Sequence, residues 1–260
     1  MAQPFVKWAG GKRKLLDQIQ AILPKKYATY HEPMVGGGAL FFDLLPKNAI
    51  LNDLNSDLMV TYEVIRDQPE KLIKQLKTLK NSEEEYLKIR AQTPRIAVNK
   101  AARFLYLNKL SFNGLYRVNS SGIFNVPYCK DPERVHFDAD IILEASKSLQ
   151  GTRLTNLDYL QALASVKKKD FVFIDPPYDD TFSSYTSEGF NKASQIMLKE
   201  AMDYLNDVGA QVIVCNSDTE FIRNIYKDYK QTVVQDRFVI SAKGSTRQPK
   251  STLFITNYTF

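Results

Sequence analysis

The chain has 260 residues and a formal net charge of +6, a length that allows one large domain or one core with an inserted lobe. Hydrophobic residues make up 44% and charged residues 25%, as in soluble globular proteins, and no apolar run approaches the roughly 20 residues of a membrane helix. We also expect no secretory signal at the N-terminus. Only two cysteines (Cys129, Cys215) and two histidines (His31, His136) occur, so we expect a cytoplasmic protein without disulfides or zinc.

The first 55 residues predict one βαβ unit of the nucleotide-binding kind. Gly36-Gly37-Gly38 follows a strand and precedes a helix, so the backbone can approach a ligand at the helix N-terminus. Asp53 ends the next strand, 17 positions after Gly36, near the spacing of roughly 20 at which an acid accepts ribose hydroxyls. The alternative is an ordinary Asn52-Asp53 turn. The elements predicted here are helices over Lys12 to Leu23 and Ala39 to Leu45 and strands over Tyr27 to Glu32 and Ala49 to Asn52.

The middle of the chain, from about Ser56 to Leu149, changes to a helical pattern. Its predicted helices cover Asp57 to Asp67, Pro69 to Lys80, Glu83 to Arg90 and Val98 to Leu110. Leu115 to Pro127 then alternates apolar and polar residues around Asn119-Ser120-Ser121-Gly122, which predicts a hairpin.

The α/β rhythm returns after about Thr152. Predicted strands cover Arg153 to Asn156, Phe171 to Ile174, Gln211 to Cys215, Thr232 to Val239 and Thr252 to Tyr258, and predicted helices cover Asn191 to Leu205 and Thr219 to Tyr226. The expected fold is therefore a discontinuous α/β domain with a mostly helical lobe inserted into it.

Asp175-Pro176-Pro177-Tyr178 directly follows the apolar strand Phe171 to Ile174, and α/β sheets place their chemistry at such strand ends. Prolines carry no N–H, so this turn presents carbonyl acceptors without competing donors. A carboxylate and an aromatic ring beside them suit a planar group that bears an NH₂, such as adenine. The alternative is a turn that only ends a strand.

Two segments of the chain carry several basic residues and no Asp or Glu. Residues 86–130 carry Lys88, Arg90, Arg95, Lys100, Arg103, Lys109, Arg117 and Lys130, and the tail carries Arg237, Lys243, Arg247 and Lys250. Segments of this kind are typical of proteins that bind a phosphate backbone, although a solvated helical face is the alternative.

Asn113-Gly114-Leu115-Tyr116-Arg117 lies within the first of these segments. An exposed arginine on a β-ribbon suits the major groove, where it pairs with guanine, and Phe112 suits insertion between base steps. A turn with a core aromatic residue is the alternative. Lys7-Trp8-Ala9-Gly10-Gly11-Lys12 places the lone tryptophan beside two glycines, and it lacks the upstream glycine of a P-loop.

Five motifs together, in this order along the chain, resemble those of the Dam-type DNA adenine methyltransferases, and of the GATC-modifying enzymes in particular. The motifs are Trp8-Ala9-Gly10-Gly11-Lys12, Glu32-Pro33-Met34-Val35-Gly36-Gly37-Gly38-Ala39-Leu40, Phe112-Asn113-Gly114-Leu115-Tyr116-Arg117, Phe124-Asn125-Val126-Pro127-Tyr128 and Asp175-Pro176-Pro177-Tyr178.

The resemblance implies a Rossmann-like, doubly wound methyltransferase sheet that binds S-adenosylmethionine without a metal. Residues 1–55 and 150–260 would form this catalytic domain, and residues 56–149 would form an inserted target-recognition domain with a β-hairpin. The cofactor-binding residues implied are Trp8, Lys12, Gly36, Gly38, Asp53, Asp158 and Asp175.

The activity we expect is methylation of adenine N6 in duplex DNA within GATC, after the base is flipped. Asp175 and the Pro176 carbonyl are the expected acceptors for the amine, and Tyr178 is expected to stack on the ring. The expected DNA-binding residues are Lys7, Phe112, Asn113, Leu115, Arg117 and Pro127.

Two departures from the family pattern affect the expected specificity. Cys129-Lys130 stands where close relatives carry Gly-Arg, and lysine does not replace a bidentate arginine contact. Met34 replaces the usual aromatic residue, which is a milder change.

Other activities remain as alternatives: an N4-cytosine or RNA N6-adenine methyltransferase, a non-catalytic DNA-binding module, and a dinucleotide oxidoreductase. We expect a bacterial or phage-encoded monomer bound to the nucleoid, with a dimer on DNA as the alternative. We expect no membrane partner, and a companion restriction endonuclease would form no stable complex with it.

Overall fold

The computed structural model describes residues 2–119, 121–179, 190–235 and 251–260. The chain divides into two compact units: unit 1 comprises Met1–Gly11 and Val35–Tyr159, and unit 2 comprises Lys12–Met34 and Leu160–Phe260.

The helices are α1 (Leu16–Gln20), α2 (Ala39–Leu44), α3 (Ser56–Asp67), α4 (Pro69–Leu76), α5 (Glu83–Ala91), α6 (Ala97–Leu110), α7 (Ala139–Leu149), α8 (Tyr159–Leu163), α9 (Lys192–Val208) and α10 (Glu220–Ile225). The strands are β1 (Tyr30–Glu32), β2 (Ala49–Asn52), β3 (Arg153–Thr155), β4 (Phe171–Ile174), β5 (Gln211–Ser217), β6 (Lys230–Gln235) and β7 (Ser251–Thr256).

Unit 1 is largely helical and contains one parallel strand pair, in which β2 pairs with β3 and Leu51 lies opposite Leu154. Short polar side chains begin several of its helices. The Asn55 side chain accepts a hydrogen bond from the Leu58 N–H at the start of α3, and the Ser82 side chain accepts one from the Glu85 N–H at the start of α5.

The segment after α6 reverses direction and packs one side into a buried cluster. Val118 and Phe124 form an isolated antiparallel bridge, and the Asn119 N–H donates to the Ile123 carbonyl. Phe124, Val126 and Tyr128 join the aromatic core around Tyr86 and Tyr106. The expected hairpin is thus present as isolated bridges rather than two regular strands, and its turn residue Ser120 lies outside the described residues.

Unit 2 is built on a mixed sheet in the order β1-β4-β5-β7-β6. Strands β1, β4 and β5 are parallel, with Phe171 of β4 opposite Tyr30 on one side and Gln211 on the other. Strand β7 runs antiparallel to β5 and to β6. All four residues of β4 are buried, which is why its sequence is a continuous apolar run.

The expected mixed α/β fold is confirmed, and its strands are mostly parallel, but several bounds differ. Lys12–Leu15 forms a 3₁₀ turn and α1 ends at Gln20, so the helix expected over Lys12 to Leu23 is shorter. Helix α4 ends at Leu76 rather than Lys80, and α7 and α8 were not expected. The strand expected over Thr232 to Val239 is β6, and residues 236–239 lie outside the described ones. None of the helices described is long and apolar enough to cross a bilayer.

Candidate active site and recognition segment

Strand β4 delivers Asp175 to the end of the unit 2 sheet, where it meets Lys12. The Lys12 Nζ lies 2.6 Å from Asp175 Oδ1 and 2.7 Å from Asp175 Oδ2, and both side chains are largely buried. The same ammonium lies 4.7 Å from the centroid of the Tyr178 ring. The structure therefore brings together Lys12, Asp175 and Tyr178, three residues that the sequence placed in one site.

Two opposed influences set the charge on Asp175. Burial raises the pKa of this carboxyl above its usual value, because a low-dielectric surrounding disfavours the charged form. The positive charge of Lys12 and its hydrogen bond lower the pKa and oppose that effect. A buried carboxylate held by one lysine is a strong acceptor for a hydrogen bond from a substrate amine.

Two buried side-chain amides hold the loop that follows Asp175. Gln195 Nε2 donates to the Pro177 carbonyl over 3.0 Å, and Asn216 Nδ2 donates to Gln195 Oε1 over 2.8 Å. Asn216 Oδ1 accepts from the Asp179 N–H over 3.1 Å. Sequence reasoning missed both amides. The only local sign was a polar residue, Asn216, at the end of the apolar run of β5.

The glycine turn of unit 1 is shaped by Trp8. Gly36 has φ +49°, and a Cβ placed on it would lie 2.5 Å from Trp8 Cδ1. Gly38 has φ +65°, and a Cβ there would lie 2.7 Å from the Tyr62 hydroxyl, which donates to the Gly36 carbonyl. The turn therefore admits glycine alone at both positions, since each combines a left-handed backbone with a close neighbour.

Asp53 accepts a backbone hydrogen bond on each carboxylate oxygen, and one of the two ties it to this turn. Asp53 Oδ2 accepts from the Gly36 N–H and Oδ1 accepts from the Asn55 N–H, each over 2.9 Å. Burial raises the pKa of Asp53 and these backbone hydrogen bonds oppose the rise. Each oxygen keeps a second lone pair, so this carboxylate fits the role of accepting ribose hydroxyls.

Asparagine side chains hold the segment after β3 against the segment after β2. Asn52 Oδ1 accepts from the Leu157 N–H and Asn52 Nδ2 donates to the Leu157 carbonyl, both over 2.9 Å. Asn156 Nδ2 donates to the Asp53 carbonyl over 2.8 Å. Asp158 follows directly and is exposed. No sequence pattern predicts that Asn52 and Asn156 hold this segment.

Residues 112–117, called the recognition segment after the role expected for them, are held to Lys7 by one buried side-chain amide, that of Asn108. Asn108 Oδ1 accepts from the Lys7 N–H over 3.0 Å, and Asn108 Nδ2 donates to the carbonyls of Lys7 and Gly114. Gly114 has φ +68°, and a Cβ there would overlap the Lys7 side chain. Lys7 therefore lies beside Asn113-Gly114.

The expected base-reading side chains lie at the surface. Phe112 is 53% exposed and Leu115 is 41% exposed, and the Phe112 N–H donates to the Pro127 carbonyl over 2.9 Å. Arg117 is exposed and donates from Nε to Asn125 Oδ1 over 2.9 Å. The Nε contact orients the guanidinium, and the described residues engage neither of its terminal nitrogens.

Tyr116 joins the recognition segment to the glycine turn within unit 1. Its ring stacks on Trp8, with centroids 6.0 Å apart and planes 23° apart, and its hydroxyl donates to Asp57 Oδ2 over 2.9 Å. Burial and the neighbouring Asp57 raise the pKa of Tyr116, so the hydroxyl keeps its proton. Trp8 and Tyr116 belong to separate sequence motifs, which do not predict this contact.

The basic residues of segment 86–130 differ in how they are used. Lys88, Arg95, Arg117 and Lys130 are exposed. Arg103, in contrast, donates to the carbonyls of Ile89 and Arg90 at the end of α5. Arg103 thus holds the helix end, while the exposed members remain candidates for phosphate contacts. The basic residues of the tail, Arg237 to Lys250, lie outside the described ranges.

No cluster of three or more His, Cys, Asp or Glu side chains that could hold a metal ion occurs within the described ranges.

Comparisons with known proteins show the family of the chain. Residues 8–240 match the model of the D12 class N6 adenine-specific DNA methyltransferases. The chain is 39% identical to the Type II methyltransferase M1.LlaDCHI of Lactococcus lactis subsp. cremoris, over 98% of this chain and 95% of that protein. It is 35% identical to the Type II methyltransferase M.MjaIII of Methanocaldococcus jannaschii, over 98% and 99%. It is 32% identical to a DNA adenine methylase of Salmonella typhi, over 94% and 91%. The chain belongs to the D12 class of N6 adenine-specific DNA methyltransferases and is an adenine-specific DNA methyltransferase.

Proposed function

We propose that the enzyme methylates adenine N6 within GATC in duplex DNA, and that it flips the adenine out of the helix to reach it. The observation that carries the proposal is the buried Asp175 carboxylate held by Lys12, followed by a turn of two prolines and Tyr178. The resemblance of the five motifs to GATC-modifying enzymes supports the sequence preference.

The exocyclic nitrogen of adenine is a poor nucleophile because its lone pair is delocalised into the ring. Asp175 and the Pro176 carbonyl would each accept one of its two hydrogen bonds, which draws the nitrogen toward a tetrahedral shape and localises the lone pair. The described residues supply no donor to the Pro176 carbonyl, whereas Gln195 already donates to the Pro177 carbonyl. Tyr178 would stack on the adenine ring.

The family uses S-adenosylmethionine, which supplies an electrophilic methyl group on its sulfonium. Asp53 would accept the ribose hydroxyls with its remaining lone pairs, and the Gly36 turn would bring the backbone close. The full set proposed to hold the cofactor is Trp8, Lys12, Gly36, Gly38, Asp53, Asp158 and Asp175. We propose no metal, since methyl transfer from a sulfonium requires none.

Base flipping costs a few kcal/mol of unpairing and unstacking. The exposed Phe112 ring would wedge into the base stack, and Arg117 would read a guanine from the major groove. Lys7, Asn113, Leu115 and Pro127 would shape the adjoining contacts.

We propose that residues 1–55 and 150–260 act as the catalytic part and residues 56–149 as the part that recognises the target. We further propose a monomer in solution that forms no stable complex with a restriction endonuclease.

Nucleoside mass spectrometry of DNA treated with enzyme and S-adenosylmethionine, with sequencing of the modified sites, tests the product and the site together. N6-methyladenine confined to GATC is the expected result, and another sequence would overturn the assigned specificity. 2-Aminopurine at the target position should become more fluorescent on binding if the base is flipped.

Replacing Asp175 by Ala tests the mechanism itself. Losing one preorganised electrostatic partner should slow single-turnover methyl transfer by about 10²–10³ while DNA affinity is kept. A rate close to that of the parent would mean that Asp175 only ends a strand.

A further inference from the structure

We propose that Gln195 and Asn216 form an amide clamp that positions Tyr178 and the Pro176 carbonyl for adenine methylation. Both act through the loop rather than on substrate, so they are positioning residues. This inference rests on the roles proposed above for Asp175, Pro176 and Tyr178.

The two prolines of this loop fix φ at their own positions but cannot by themselves fasten the loop to its neighbours. Pro176 and Pro177 carry no N–H, so neither residue can donate a hydrogen bond to a neighbouring strand or turn. The backbone here can be fixed only through its carbonyls, or through the N–H groups of the residues on either side. The clamp uses one of each: Gln195 holds the Pro177 carbonyl and Asn216 holds the Asp179 N–H.

Tyr178 lies between these two anchored points, so its backbone is restrained on both sides. Asp179 is restrained further, because its carbonyl accepts from the Ser217 hydroxyl over 2.5 Å and its carboxylate accepts from the Thr219 hydroxyl over 2.8 Å. The position from which the Tyr178 ring leaves the loop is therefore set by side chains of α9 and of β5.

The two backbone groups at the ends of the clamp determine the direction of every hydrogen bond within it. The Asp179 N–H can only donate and the Pro177 carbonyl can only accept. Asn216 must therefore present its oxygen to Asp179 and its NH₂ to Gln195, which leaves the Gln195 NH₂ for the Pro177 carbonyl. Replacing either amide by a side chain that cannot both accept and donate therefore interrupts this series of hydrogen bonds.

Burial makes the loss of any of these hydrogen bonds costly. Gln195 and Asn216 are both 0% exposed, so water does not replace a lost partner. The clamp also decides which proline carbonyl serves the substrate. Gln195 engages Pro177, and among the described residues no donor engages the Pro176 carbonyl, which would accept from the adenine amine.

The first test replaces Gln195 by Met, which keeps the length of the side chain and removes both polar functions. Single-turnover methyl transfer at saturating S-adenosylmethionine should slow on the order of 10²-fold, the cost of a misplacement of about 1 Å. Affinity for duplex DNA should be unchanged. Gln231→Met is the matched control, because Gln231 also donates to two backbone carbonyls of unit 2, those of Arg223 and Tyr226, away from this loop.

The second test, Gln195→Glu, separates positioning from a general loss of stability. An ionised carboxylate has no donor for the Pro177 carbonyl, whereas the neutral acid donates to Pro177 and still accepts from Asn216. The ratio of variant to parent rate should therefore rise as the pH falls. In Gln195→Met this ratio should stay constant with pH. If Gln195→Met does not fold, the pH dependence of the Gln195→Glu ratio decides.

The clamp would be overturned if the Gln195→Met rate were within about threefold of the parent rate, a difference of only about 0.65 kcal/mol in the barrier. It would also be overturned if the ratio of the Gln195→Glu rate to the parent rate did not change with pH. Asp175→Ala, assayed in parallel, keeps the two proposals apart. If Asp175→Ala is inactive while Gln195→Met is not, the clamp alone is wrong. If Asp175→Ala is active, the proposed mechanism itself fails.

Discussion

The indole of Trp8 stacks on the ring of Tyr116, with their centroids 6.0 Å apart, and the same indole occupies the space that a side chain on Gly36 would need. One residue thus contacts both the recognition segment and the glycine turn of unit 1. Asp53 Oδ2 accepts a hydrogen bond from the N–H of the same Gly36. Packing on this indole therefore restrains the glycine whose N–H binds Asp53.

Replacing Gly36 by Ala should lose stability and cofactor affinity together. The left-handed backbone alone costs about 1–2 kcal/mol, and the overlap with Trp8 adds about 1–3 kcal/mol. Gly151→Ala is the matched control, since Gly151 has φ +77° and nothing within 4 Å of an added Cβ. Urea unfolding and titration with S-adenosylmethionine measure the two effects. Equal losses in the two variants would show that Trp8 does not constrain the turn.

Replacing Lys12 by Met should shift the acid limb of the pH–rate profile to higher pH. Burial raises the pKa of Asp175 and Lys12 opposes the rise, so removing Lys12 leaves the raising influence alone. The carboxylate must be ionised to accept the amine hydrogen bond, so activity is lost as the pH falls through this pKa. The single-turnover rate at saturating cofactor gives the profile. An acid limb at the parent position would mean that another group controls it.

Replacing Arg117 by Ala should reduce discrimination at one guanine by about 1–3 kcal/mol. Arg117→Lys should lose most of it as well, because lysine lacks the planar fork. Asn125→Ala removes the partner of Arg117 Nε and should weaken discrimination less. Methylation rates on GATC and its single-base variants provide the comparison. A uniform slowing on all sites would make Arg117 a phosphate contact.

We expect the exposed Arg95 and Lys130 each to contact a phosphate of duplex DNA. Replacing either one by Ala should therefore reduce the slope of log affinity against log salt concentration by about one unit. Lys147→Ala is the control, because Lys147 is paired with Glu144 on α7, outside the acid-free segment. Fluorescence anisotropy at several salt concentrations measures the slope. An unchanged slope in the first two variants would remove these residues from the backbone contacts.

The buried pair of His31 and Asp170 should make stability depend on pH. His31 Nε2 lies 3.0 Å from Asp170 Oδ2, and burial lowers the pKa of His31 despite the opposing effect of Asp170. Below about pH 6.5, His31 binds a proton more readily in the unfolded chain than in the folded protein. The contribution of His31 to the free energy of unfolding is therefore lost as the pH falls below this value. The difference in unfolding free energy between parent and His31→Gln should shrink over this range. A constant difference would contradict the assignment.

Local patterns in the sequence determined the elements and the chemical groups. The strand over Phe171–Ile174 and the one over Ala49–Asn52 were predicted to the residue, since a buried parallel strand is a continuous apolar run. Helix α7 was missed although Asp138 caps it and its buried residues Ile142, Ala145 and Leu149 recur at helical spacing. The Asp175 turn and the glycine turn were recognised because glycine and proline restrict the backbone by themselves.

The partners of those groups were decided by the tertiary structure alone. Lys12 reaches Asp175 across 163 positions, and Asn108 reaches Lys7 across 101. Gln195 and Asn216 are both fully buried, and no pattern in the sequence indicates that they bond to each other and to the loop after Asp175. Periodicity and capping act over a few residues, whereas the partner of a polar side chain depends on which distant segments are packed together when water is excluded.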